Sequence, residues 1–326
     1  MTNATLMLQP ILSHSALTLD DFITWGGSMA RTADGKCHLF FSLWPRMKGH
    51  DAWVTDSEIG YAVADNPLGP YKFINITLRG SGLASGWDRD VTHNPTVQYI
   101  DGKFYLYYTG NYGNGEYWNH RNNQRIGVAV SEDPMGPWQR FDKPLLDVTT
   151  DGWDTLITTN PSVARRNNGG YIMVYKAGSK IAPGPMYGPI LHGVAFSDSP
   201  LGPFKRHAEP VFASGDVNFP GEDPFVYEYN GKLYAILKDM GSNYTDEDRA
   251  LVMFESSDGI DWTLCENPML TSRRLEWSDG TKQEFYRLER PQLYLNNGKP
   301  EVLFAAVKPD RKSDDSYNIH MQVTPG

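Results

Sequence analysis

The residues best suited to chemistry are the acids of Glu222-Asp223-Pro224 and Glu289-Arg290-Pro291. Two carboxylates that meet across a bound sugar are enough to break a glycosidic bond, one as general acid and the other as base or nucleophile. Glu222 is the candidate acid, because the charge of Asp223 beside it disfavours ionisation and raises the pKa of one member of the pair. Lys176, Lys238 and Arg290 supply cations, which could surround a phosphate if the bond is split by phosphorolysis instead.

These acids belong to a series that recurs about every 66 residues, the mark of a repeat architecture. Its members are Trp25-Gly26-Gly27-Ser28, His93-Asn94-Pro95, Thr159-Asn160-Pro161, Glu222-Asp223-Pro224 and Glu289-Arg290-Pro291. In register, one ring is Gly26, His93, Thr159, Glu222 and Glu289, and a second is Gly27, Asn94, Asn160, Asp223 and Arg290. Proline recurs at 95, 161, 224 and 291, where it fixes the chain entering a strand. The residues before it differ from copy to copy, so Asp223 joins the catalytic candidates, and Trp25, Asn94, Asn160, Glu289 and Arg290 become candidate sugar contacts.

Residues 87–95 align without gaps on residues 153–161. Trp87, Asp88, Trp153 and Asp154 recur and read as scaffold. Asp90 and His93 replace Leu156 and Thr159, which makes them extra polar groups and catalytic candidates.

Each copy carries an apolar run, a turn and a second run rich in aromatic and β-branched residues. The turns centre on Asp34-Gly35, Asp101-Gly102, Asn168-Gly169, Asn230-Gly231 and Asn297-Gly298, the strongest short hairpin signals because their residues tolerate positive φ. A third strand follows at 59–63, 126–130 and 192–196. Four short antiparallel strands in each of five copies predict an all-β, five-bladed β-propeller spanning 1–326 as one domain. The last strand, 318–323, is expected to pair with another unit and close the ring. Ser256-Ser257-Asp258-Gly259 reads as a structural turn.

Strand parity puts the variable segments and the loops between second and third strands on one face. Those loops are long and bear Trp44, His50, Asp51, Trp53, Tyr112, Tyr117, Trp118, Tyr187 and Tyr244, with Asp51 and Trp118 as candidate sugar contacts. Lys176 and Lys238 end equivalent second strands and point to the same face.

The net charge of −9 excludes nucleic acid or an anionic membrane as the main partner. An oligosaccharide suits the 9 Trp, 18 Tyr and 14 Phe, whose flat rings match sugar faces. Cys37 and Cys265 form no disulfide framework. The sequence carries no signal for an oligomeric state. No stretch approaches a membrane span and the start lacks a signal peptide, so the expected location is cytoplasmic, or periplasmic or secreted if a leader has been removed.

The hairpin rhythm, the five copies and the Glu222-Asp223-Pro224 segment resemble the five-bladed propeller glycoside hydrolases of families 43, 62, 32, 68, 117 and 130. In family 43 the resemblance implies a base Asp at the first blade, a pKa-tuning Asp at the third and an acid Glu at the fourth. The fourth matches at Glu222, the third holds Asn160 and the first holds Gly26-Gly27, so the chain looks like an outlying family 43-like or family 117-like branch. The base must then come from elsewhere, with Asp90 first, followed by Asp51, Asp21 and Asp239. Likeness to family 117 admits His93 to the acid–base set, and the resemblance also admits a divalent cation at the axis with His93 as ligand. The expected activity is an exo-acting, inverting glycosidase on a plant or algal oligosaccharide. The alternatives are a family 130-like phosphorylase and a sugar-binding propeller without catalysis.

Overall fold

The computed structural model describes residues 6–167 and 169–325. Asn168 of the third hairpin turn lies outside them. Five antiparallel sheets surround one axis as the blades of a propeller. Blade I is Phe22–Arg31, Cys37–Pro45, Glu58–Ala64 and Lys72–Leu78, blade III begins at Ile157–Arg165, and blade IV begins at Gly221–Tyr229. Blade II has three strands, beginning at Val91–Ile100, and two isolated bridges, Val130 to Gln139 and Ile126 to Leu146, stand where its fourth would be. The Asp-Gly and Asn-Gly turns do what their composition demands: Asp101, Gly102, Asn230, Gly231, Asn297 and Gly298 all have φ between 49° and 80°.

Ring closure differs from the expected form. Tyr317–Pro325 pairs with Lys299–Lys308 of its own blade V and, on its other edge, with the N-terminal strand Leu6–Leu8. The chain start therefore supplies the outer strand of the last blade. Apolar side chains of neighbouring sheets fill the gaps between blades, for example Phe40 and Tyr61 of blade I against Phe104 and Leu106 of blade II. No helix among the described residues is long and apolar enough to cross a membrane.

The inner strand of every blade contains a bulge at its start, where a residue, followed in four blades by an unpaired proline, has no partner across the ladder. That residue adopts the left-handed conformation in all five: Gly26 at φ 55°, Asn94 at 50°, Asn160 at 52°, Asp223 at 57° and Arg290 at 55°. Gly26, and not Gly27, is thus the blade I equivalent, and Trp25 takes the place assigned to Gly26. Gly, Asn and Asp tolerate this backbone best, so four of the five identities in this ring answer a local steric demand. Arg290 does not, and it needs Gly26, because a Cβ there would stand 3.2 Å from the Arg290 side chain.

Several histidines are sealed into this scaffold. Burial pushes His50 down to about 4, and His192 and His320 to about 3, from an ordinary 6.5. Each is neutral when folded and gains a proton more readily when unfolded, so their contribution is intact above pH 6.5 and is lost as pH falls towards 3. Thermal melts should therefore show a midpoint that drops steadily between pH 7 and pH 4. Equal midpoints at the two values would contradict these assignments.

Candidate active site

The starts of the inner strands and the long loops enclose a cavity of about 350 Å³ on one face of the propeller. Trp25, Trp53, Trp118 and Phe219 form its apolar walls, while Asp51, Glu222, Asp223 and Glu289 bring carboxylates to it. A larger hollow of about 490 Å³ at the opposite mouth of the axis is lined by hairpin residues such as Arg31, Arg165 and Asn296. It lacks the convergent ion pairs of the first. The smaller cavity is the candidate site.

Strand register builds its floor. Lys238 lies directly across the ladder from Glu222, and Lys176 across from Thr159. Each lysine also reaches the next blade: Lys176 Nζ donates to Glu222 Oε1 at 2.9 Å, and Lys238 Nζ donates to Glu289 Oε1 at 2.5 Å. Lys238 Nζ donates to Glu222 Oε2 as well, at 3.2 Å. Arg287 Nη1 approaches Glu289 at 3.5 Å.

These contacts reverse the expected protonation of the Glu222-Asp223 pair. Burial opposes ionisation of Glu222, but two ammonium groups outweigh it and hold the carboxyl far below the usual range. Asp223 is the member pushed up, by burial first and by the charge of Glu222 second. Glu222 is therefore a fixed anion, which is not the state a general acid requires.

Beneath the floor the left-handed residues form a belt. Asn94 Nδ2 donates to Asn160 Oδ1 at 2.8 Å, and Asn160 Nδ2 donates to Asp223 Oδ1 at 2.5 Å. The Arg290 backbone amide donates to Asp223 Oδ2 at 3.3 Å, and Arg290 Nη2 crosses back to the Asn94 carbonyl at 3.4 Å. Asn94, Asn160 and Asp223 line the cavity and their side chains link four blades around the axis, with Asn94 Oδ1 left without a partner.

His93 sits at the cavity wall with Nδ1 2.7 Å from Ser57 Oγ and its ring stacked on Trp53 at 4.9 Å. Burial, followed by the positive charges of Arg290 and Lys176, drives its pKa well down. The imidazole is neutral and offers a sugar one hydrogen bond.

The structure does not bring Asp90 to the cavity. Its carboxylate is paired with Arg89 through two bonds of 2.8 Å and accepts the Gly113 amide. Asp239 is likewise occupied, accepting the amides of Asn243, Tyr244 and Thr245 to shape their loop. Asp21 lies outside the lining, and of the candidate bases only Asp51 is part of it. Asp88 and Asp154 repeat one scaffold arrangement, each binding an arginine and the hydroxyl of a Tyr on which the preceding Trp stacks.

Gln124, Phe219 and Arg287 line the cavity and carry no signal in the repeat. Arg287 was findable, since it stands two residues before Glu289 and alternate strand residues share a face.

Oxygens of Glu222, Asp223 and Glu289 lie within 4.8 Å of one another, a spacing that could suit a cation. Lys176, Lys238 and Arg290 already neutralise them. A divalent cation would meet an ammonium between its ligands, so these residues do not fit one.

A sequence model, Glycosyl hydrolases family 43, matches residues 75–160. No functionally curated protein is detectably similar in sequence. Among solved structures, Zg3597, a family 117 glycoside hydrolase of Zobellia galactanivorans, is 15% identical with a TM-score of 0.66, over 98% of this chain and 91% of its own. BT0996, in a complex with RGII, gives a TM-score of 0.70 at 15% identity, over 100% of this chain and 92% of its own. An α-L-arabinofuranosidase from Lactobacillus brevis gives 0.61 at 15% identity, over 93% and 91%. Fold and family match together define a glycosidase of the five-bladed propeller type. Residues 75–160 are similar to family 43, and the chain as a whole shares its fold with a family 117 enzyme.

Proposed function

We propose that the chain removes a terminal sugar from an arabinan-like or xylan-like oligosaccharide, with Glu222 and Glu289 as its carboxylate pair. The observation that carries this reading is the pairing at the cavity floor, where both carboxylates share Lys238 Nζ. Glu222, held as an anion by two lysines, is the nucleophile, and Glu289, which shares Lys238 with it, is the second carboxylate of the pair. This assignment replaces Glu222 as the acid.

Attack on the terminal unit is favoured by the walls. Arg121 Nη1 and Asn122 Nδ2, at the end of the short helix Tyr117–Asn122, bond the carbonyls of Met186 and Pro185. Two loops thereby meet along one side of the cavity and oppose the passage of a long chain. Carboxyl groups about 5–5.5 Å apart serve retention, and about 6.5–9.5 Å serve inversion. Both carboxylates bind the one Lys238 ammonium, which leaves no room for a water between them, and retention is the outcome such a close pair gives. The inverting alternative has its own support in Asp51, the remaining carboxylate of the lining, as a base opposite Glu222.

The three cations expected to hold a phosphate are occupied, Lys176 and Lys238 by glutamates and Arg290 by Asp223, which weakens the reading as a phosphorylase. Incubation with arabinan-derived and xylan-derived oligosaccharides in phosphate-free buffer, followed by NMR, tests the reading. Release of free monosaccharide is expected. Sugar phosphate formed only with added phosphate, or binding without turnover on every glycan, would overturn it.

A further inference from the structure

Arg121 stands apart from the other cations of the cavity. Lys176 and Lys238 are spent on Glu222, Lys238 and Arg287 on Glu289, and Arg290 on Asp223. Arg121 lines the same cavity and pairs with no carboxylate among the described residues. Its Nη1 donates to Asn122 Oδ1 at 3.0 Å and to the Met186 carbonyl at 3.1 Å, both uncharged. Its Cζ stands 5.9 Å from the centre of the Trp118 ring.

A half-buried guanidinium held by neutral acceptors has given up hydration without gaining a counter-ion. Burial accordingly draws the Arg121 pKa down. The Nη1 contacts fix the plane of the group, and a fixed planar fork matches an oxyanion far better than a neutral hydroxyl. Trp118 beside it offers a flat face for the sugar that bears the anion.

We propose that Arg121 is a specificity-determining residue for an acidic sugar, binding an oxyanion, either a uronic carboxylate or a sulfate ester, on the substrate. This rests on the glycosidase reading and names the substrate class of the same cavity.

Titration of tryptophan fluorescence with D-galacturonate, D-glucuronate and inorganic sulfate, against D-galactose and D-glucose, tests it in the native protein, Arg121→Lys and Arg121→Gln. At least one anionic probe should bind the native protein about tenfold more tightly than the neutral sugars, the size of one charge-assisted contact. Arg121→Gln should erase that difference and leave neutral-sugar binding in place, while Arg121→Lys restores part of it. A uronate preference assigns a uronic acid, and a sulfate preference a sulfated sugar. The proposal is overturned if no anion outbinds the neutral sugars, or if Arg121→Gln weakens both kinds alike through loss of the Met186 contact. Either result leaves the glycosidase reading standing, because that reading falls only with the absence of turnover.

Discussion

Glu222→Gln should lower kcat by about a thousandfold or more while sugar binding persists, as expected when a group that acts only in the transition state is removed. The exchange keeps size and shape but removes the charge on which Lys176 and Lys238 converge. A small loss of activity, or a rise in KM with kcat intact, would reduce Glu222 to a binding residue. The acid limb of the native pH profile gives a further check. Glu222 is held ionised far below its ordinary range, so activity lost between pH 5 and 4 must be traced to another group or to unfolding.

Lys238→Met should be the most damaging change to stability at the site, costing about 3–5 kcal/mol near neutral pH. Lys238 is buried and shared, and its removal leaves Glu289 and one oxygen of Glu222 without their cation. The cost should shrink as pH falls. Without the lysine Glu222 loses one of the two cations that hold it ionised and takes up a proton at higher pH than in the native protein, so the variant regains stability relative to the native protein on acidification. Urea unfolding at pH 7 and pH 5 measures both effects. A constant difference at the two values would show that the loss is one of packing alone.

The five-fold architecture was legible because Asp-Gly and Asn-Gly turns announce hairpins locally, and parity then placed the long loops correctly. Register failed at blade I, where Gly26 and Gly27 are identical and no proline follows to mark the bulge. The backbone demand at that bulge was also invisible. Variation through Gly26, Asn94, Asn160 and Asp223 looked like functional divergence, yet these are the residue types that accept a φ near 50°. Glu222 does line the cavity, but the ionisation expected of it is reversed: adjacency shows Asp223, while the deciding cations come from positions 46 and 16 residues away. Asp90 was overvalued for the opposite reason, since its partner Arg89 is its immediate neighbour.

A retaining pair formed by Glu222 and Glu289 is tested most directly by the anomer of the sugar first released, followed by proton NMR before mutarotation sets in. The first product is expected to keep the anomeric configuration of the substrate. A first product of opposite configuration would contradict the pairing and transfer the role of base to Asp51.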